Sequence, residues 1–251
     1  MSMLSKGKIG IALGGGGARG FVHLGVLKAL EEQGITPDII SGVSAGAIVG
    51  SFIAAGMSPE EIMKVMKENK FTDYAKVNMP TTGLLNLDNL KENLAEYLRA
   101  TSFSDLELPF YAAVSNLNSG EIEYLHQGEL IPVIQASSSI PVLFSPVEID
   151  GANYVDGGLL DNLPITPLKE KCDTIIGVNI MPIQEKSEVE NLIEVAIRTF
   201  ELSVSGNKKE FEANCDLYIE PEGVGEYDIL DPGHADELFE LGYDYAKKIS
   251  I

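Results

Sequence analysis

Lys8-Ile9-Gly10-Ile11-Ala12-Leu13, then Gly14-Gly15-Gly16-Gly17-Ala18-Arg19-Gly20, then the apolar run from Phe21 to Gln33, is the stretch that decides the fold. Ile9, Ile11 and Leu13 alternate with smaller residues, the period-two pattern of a strand. The run after the glycines is helical and stops at Gly34, where a left-handed C′ glycine ends many helices. The same pattern is then repeated with a serine at its turn. Asp38 to Val43 reads as a second short strand, and Ala45 to Ala55 as a helix of small residues closed by Gly56. Ser58-Pro59-Glu60-Glu61 opens the next helix, with Ser58 at N-cap, Pro59 at N1 and Glu61 completing a capping box. Strand, glycine turn, helix, strand, serine turn, helix implies parallel strands joined by right-handed crossovers. The expected class is α/β, a mainly parallel sheet with helices on both faces.

Further along, Phe110 to Val114 and Glu121 to Leu125 are expected to pair around a turn at Asn116–Gly120. Leu130 to Ser138 is expected as a short helix, Pro141 to Pro146 as extended chain, and Val147 to Val155 as a strand pair around Asp150-Gly151. Thr174 to Ile180 reads as a buried strand, Glu188 to Phe211 as one long amphipathic helix, Leu217 to Glu220 as a last strand and Asp236 to Ile249 as a terminal helix. Phe71 to Leu87 holds no period and is expected as a long loop or flap before a helix starting near Asp88. No repeat or linker interrupts the 251 residues, so a single domain spanning 1–251 is expected.

Composition removes several classes of function. Lys and Arg number 18 against 38 Asp and Glu, a formal charge of −20. That field repels phosphate backbones and anionic bilayers over about 8 Å at physiological salt, so nucleic acid is not an expected partner. Cys172 and Cys215 have neither disulfide-framework nor metal-ligand spacing and are expected as small buried apolar residues. Met1 to Lys8 lacks an apolar leader, and the most apolar stretch, Gly42 to Met57, is too short to span a bilayer. A cytoplasmic location is the expectation.

Three motifs carry chemistry. Gly42-Val43-Ser44-Ala45-Gly46 places a serine where a strand reverses into a helix, a turn that excludes side chains at its flanks and presents Oγ at the strand end. The competing reading makes Ser44 an N-cap. Gly14 to Gly20 leaves backbone amides free at a helix start. It fits either a dinucleotide loop, with Gly15-x-Gly17-x-x-Gly20 and Asp38 18 residues further on, or an oxyanion hole made by the amides of Gly15, Gly16 and Gly17. In the second reading a side chain at Gly16 would stand in the oxyanion's path. Arg19 fits both readings, bracing the loop through carbonyls or lying on the surface. Asp156-Gly157-Gly158 ends a strand, and is either an acid held at a sharp turn or a turn pair only.

In order along the chain, Gly14–Gly20, Gly42–Gly46, Ala136-Ser137-Ser138-Ser139-Ile140-Pro141 with Phe144 and Pro146, and Asp156-Gly157-Gly158 resemble the motifs of the bacterial patatin-like phospholipases. That family of lipid acyl hydrolases includes the catalytic domain of neuropathy target esterase. The resemblance covers about 8–166. It implies a three-layer patatin-like fold and a Ser44–Asp156 dyad without histidine. It also implies an oxyanion hole at Gly15, Gly16 and Gly17, with Arg19, Gly20, Gly42, Gly46, Gly157 and Gly158 as supports. The substrate implied is a phospholipid, lysophospholipid or related acyl ester, with a membrane surface as one place to meet it. No cofactor is implied, and no metal, because the acids near the site form a dyad and not a ligand cluster. Transfer of the acyl group to an alcohol or thiol by the same dyad, a nucleotide-binding regulatory module and a silent scaffold remain as alternatives. Of the three histidines, His23 is expected to pack or hydrogen-bond in the first helix, and His126 and His234 lie in or beside turns.

Overall fold

The computed structural model describes residues 7–68, 87–185, 189, 192–204 and 208–249. Its strands are β1 (Ile9–Leu13), β2 (Ile39–Gly42), β3 (Phe110–Asn116), β4 (Ile122–Leu125), β5 (Val147–Ile149), β6 (Ala152–Asp156), β7 (Thr174–Val178) and β8 (Leu217–Ile219). They form one sheet in the order β5-β6-β3-β2-β1-β7-β8, with β4 also paired to β3. The run β3-β2-β1-β7-β8 is parallel, whereas β4, β5 and β6 pair antiparallel. Short hairpins account for the β3–β4 and β5–β6 pairs, while β6 returns against β3 after α5. At β5–β6 the turn residues Asp150 and Gly151 have φ of 51° and 82°, the left-handed pair that matches strand twist in two-residue loops.

Helices cover the sheet. They are α1 (Phe21–Glu32), α2 (Ala45–Ala54), α3 (Pro59–Glu68), α4 (Asp88–Tyr97), α5 (Leu130–Ser137), α6 (Leu192–Val204), α7 (Lys208–Asn214) and α8 (Ala235–Lys247). β2 and β7 are buried at every residue, the signature of strands covered on both faces. α2 is buried on nearly all sides. Its small residues Ala45, Gly46, Ala47 and Gly50 let it lie against the sheet, so its N-terminal dipole acts in a poorly screened interior. The capping box forms as expected: the Glu61 amide donates to Ser58 Oγ at 3.3 Å and the Ser58 amide to Glu61 Oε2 at 2.9 Å. Among the described residues no helix is long and apolar enough to cross a membrane.

Two expectations are corrected, at Pro141–Leu143 and at the cysteines. Pro141 to Leu143 is a turn, not extended chain. The Phe144 amide donates back to the Ile140 carbonyl at 3.0 Å, and Val142 sits at φ 72°. Of the helix expected over 188–211, α6 and the start of α7 are described, and 188, 190, 191 and 205–207 lie outside the described residues. The apolar period buries Ile197, Phe200 and Val204 of α6, and Phe211 of α7 is half-buried against the core. Cys172 and Cys215 are free and half-buried, at the margin of the core and not inside it. The flap expected over Phe71–Leu87 lies outside the described residues except for Leu87, which is buried just before α4.

Candidate active site

Ser44 occupies a turn that only glycine neighbours allow. A Cβ on Gly42 would lie 2.4 Å from the Gly46 carbonyl oxygen, and one on Gly46 would lie 2.1 Å from that of Leu13. Between them Ser44 takes φ 53° and ψ −123°, a conformation that costs a non-glycine residue on the order of 1–3 kcal/mol and persists where its surroundings hold it. The holding groups are visible. The Val43 amide donates to Leu13, and that of Gly46 to Val43. The Ser44 amide donates to Ser137 Oγ at 3.0 Å, and that hydroxyl donates to the Ala113 carbonyl at 2.8 Å. The Ser44 side chain makes no capping hydrogen bond to α2, so the N-cap alternative does not describe it.

Strand register brings Asp156 alongside. Gly42 of β2 stands beside Ala112 of β3, and Asp156 of β6 stands beside Val114 on the other side of β3. Ser44 follows β2 by two residues, one strand away from Asp156, and its hydroxyl lies near enough to act on that carboxyl. Gly157 makes the turn after the acid possible, since a Cβ there would lie 2.3 Å from the Ala113 carbonyl oxygen. The Asp156 carboxyl is fully buried. Its Oδ1 accepts the Gly158 amide at 2.8 Å, while Oδ2 has no hydrogen-bond partner among the described residues. Burial drives its pKa up to about 7, against the lowering effects of the Ser44 hydroxyl and the Gly158 amide. The hydroxyl is thus near enough to act on the carboxyl but has not closed on it. A loose pairing of this kind is common before substrate tightens a site.

The glycine loop lies beside Ser44. A Cβ on Gly15 would come within 3.1 Å of Ser44 Cβ, whereas one on Gly16 would meet the Ile180 side chain at 2.7 Å. The missing side chain of Gly16 thus points toward Ile180, while that of Gly15 points toward Asn162 Oδ1 at 2.5 Å and then Ser44. The Gly15 amide is already taken, donating to the Asn162 carbonyl at 3.3 Å. Those of Gly16 and Gly17 have no acceptor among the described residues, and neither has that of Ala45 at the start of α2. Reading the sequence missed Ala45, although an amide following a serine on such an elbow is a usual oxyanion donor. Ser137 and Asn162 were also missed as supports.

Arg19 braces the loop from beneath. It is buried, and its guanidinium donates to the carbonyls of Tyr227 at 2.8 Å and Gly225 at 3.1 Å. Gly20 lies against α2, where a Cβ would meet that of Ala45 at 3.0 Å. His23 Nε2 is 2.7 Å from the Gly14 carbonyl oxygen. Since a carbonyl only accepts, Nε2 carries the proton; burial lowers the ring's pKa to about 4 and keeps it neutral. His23 therefore holds the loop and does not face Ser44 as a base; His126 is exposed and His234 half-buried elsewhere. Asp38 counts against the dinucleotide alternative. It precedes β2 and accepts the Ile9 amide at 2.8 Å, at the end of β1 opposite the glycine loop, where no ribose could reach both. Among the described residues no cluster of His, Cys, Asp or Glu is suited to hold a metal ion. A pocket with about 30 Å³ of room opens at Ser44 and Ala45, walled by Ile48, Met66, Ile140, Phe144, Ile229 and Leu230, with Ser138 as its second hydroxyl.

An α/β sheet with a serine elbow, a buried acid and a glycine loop at the carboxyl ends of its strands has the layout of an acyl hydrolase site. The chain belongs to the patatin-like phospholipase family, whose family model matches residues 11–169. Over 98% of its length it is 28% identical to the lysophospholipase NTE1 of Saccharomyces cerevisiae, of which it covers 16%. It is 32% identical over 166 residues to an NTE family protein of Mycobacterium tuberculosis, covering 65% of this chain and 46% of that one. The chain thus spans less than half the length of these relatives. In structure it resembles VipD from Legionella pneumophila, with a TM-score of 0.57 at 18% identity over 96% of this chain and 66% of that one.

Proposed function

We propose that the protein hydrolyses acyl esters of lipids, with Ser44 as nucleophile and Asp156 as its base. The observation that carries the reading is the buried Asp156 carboxyl, held by one amide and facing a strained serine with its other oxygen unpartnered. Family membership supports the substrate class. Asp156 takes the Oγ proton as Oγ attacks the ester carbonyl, and the amides of Gly16, Gly17 and Ala45, with the dipole of α2, bear the oxyanion. The alcohol leaves with the proton from Asp156. Water then gives a proton to Asp156 as it attacks the acyl-enzyme, and Ser44 departs reprotonated. Lipid packed at a neutral or zwitterionic surface suits a chain of charge −20 better than an anionic bilayer. A cytoplasmic place of action and a single domain over 1–251 belong to the same proposal; the free Cys172 and Cys215 fit a reducing compartment.

A pH profile tests the base. Asp156 acts ionised, and burial has moved its pKa to about 7, so kcat/KM for a neutral soluble ester is expected to fall below a midpoint near pH 7. A carboxylate in ordinary solvent would place that limb near pH 4. A limb there in the wild-type protein contradicts the assignment of a buried carboxylate as base.

A further inference from the structure

Ser137, Ser138 and Ser139 follow one another at the end of α5, and two of them are tied into the protein. Ser137 Oγ links the Ser44 amide to the Ala113 carbonyl, and Ser139 Oγ donates to the Gln135 carbonyl at 2.8 Å. Ser138 is also buried, with 8% of its surface exposed, yet its Oγ has no hydrogen-bond partner among the described residues. A buried hydroxyl without a partner opposes folding, and alanine would fill the same space without that penalty. Ser138 lines the pocket that opens on Ser44 and Ala45, among the apolar residues Ile48, Met66, Phe144 and Ile229, and its orphan hydroxyl is itself buried at that wall.

The chemistry of the pocket narrows what this hydroxyl meets. In the mechanism above, the carbonyl oxygen of the ester is served by backbone amides, and the alkoxy oxygen receives its proton from Asp156. The acyl chain needs only apolar wall. A serine hydroxyl both donates and accepts, and a further hydroxyl on the alcohol part of the substrate is the group that uses both capacities. We propose that Ser138 is a specificity-determining residue whose Oγ binds a free hydroxyl adjacent to the scissile ester, selecting partial esters of polyols over esters of simple alcohols. The inference rests on Ser44 being the nucleophile.

Glycerol 1-hexanoate and ethyl hexanoate, both used below micellar concentrations, present the same acyl chain with and without that neighbouring hydroxyl. Wild-type protein is expected to prefer the glycerol ester in kcat/KM. Ser138→Ala is expected to lower that value by about tenfold, the worth of one good buried hydrogen bond, while changing the ethyl ester by less than about twofold. Its Tm is expected to hold or rise, because the hydroxyl removed has no partner in the protein. An unchanged preference overturns the proposal, whether both esters fall together or neither falls. Ethyl hexanoate turnover that vanishes in Ser44→Ala keeps the nucleophile standing when Ser138 fails. Turnover that persists in Ser44→Ala, or no turnover of either ester by the wild-type protein, removes the nucleophile reading and this inference with it.

Discussion

Ser44→Ala is expected to hydrolyse acyl esters at least about 10⁴-fold more slowly in kcat than the wild-type protein, the scale of loss when a hydrolase loses its attacking oxygen. The substitution removes one oxygen and keeps Cβ. The bonds that hold the elbow are made by backbone amides, those of Val43, Ser44 and Gly46, so the turn remains. The hydroxyl makes no capping hydrogen bond to α2, and Tm is therefore expected to change little. Loss of activity with an unchanged Tm separates a missing nucleophile from a collapsed site. Ester hydrolysis at wild-type rates in this variant would contradict the role given to Ser44.

Asp156→Asn is expected to lower kcat by about 10²–10⁴-fold, the usual contribution of a positioned general base. Asparagine keeps an oxygen to accept the Gly158 amide and has nearly the shape of aspartate, so geometry is preserved while basicity is lost. Stability should move the other way. The folded-state pKa of Asp156, about 7, lies above the value of about 3.9 for an unfolded Asp. The protonated carboxyl's contribution to stability is full below about pH 4 and is lost as pH rises through 7. At pH 8 the wild-type protein carries a buried, ionised carboxylate that the variant lacks, and Asp156→Asn is expected to melt higher there. At pH 4 the two should melt together. A variant that loses activity and also melts lower at pH 8 would mark Asp156 as structural.

The first half of the site was legible because glycine and serine at strand ends are set by steric exclusion. Gly42, Gly46 and Gly157 each face a backbone atom too close for a Cβ, and such constraints leave their mark at fixed positions. The capping box at Ser58–Glu61 was legible for the same local reason. What escaped notice depended on contacts distant in sequence. Nothing near Gly15 signals that the Asn162 carbonyl, 147 residues away, occupies its amide, nor that Gly16 faces Ile180 and Gly15 faces Asn162 and Ser44. Ala45 carries no side-chain signature because its contribution is a backbone amide. Ser137 sits in a run of serines whose individual partners are set by α5 lying against β3 and the elbow.

The central claim is that two chain turns, remote in sequence, work as one chemical unit. An alkyl fluorophosphonate reacts with a serine only as fast as that serine is activated, and mapping the labelled peptide names the residue. The rate of labelling by this probe, followed at pH 8 in the wild-type protein and in Asp156→Asn, therefore tests both partners at once. The expected result is stoichiometric phosphonylation of Ser44, slowed by about 10²-fold or more when Asp156 is replaced. Phosphonylation of another serine, or of Ser44 at the same rate in both proteins, would contradict the dyad.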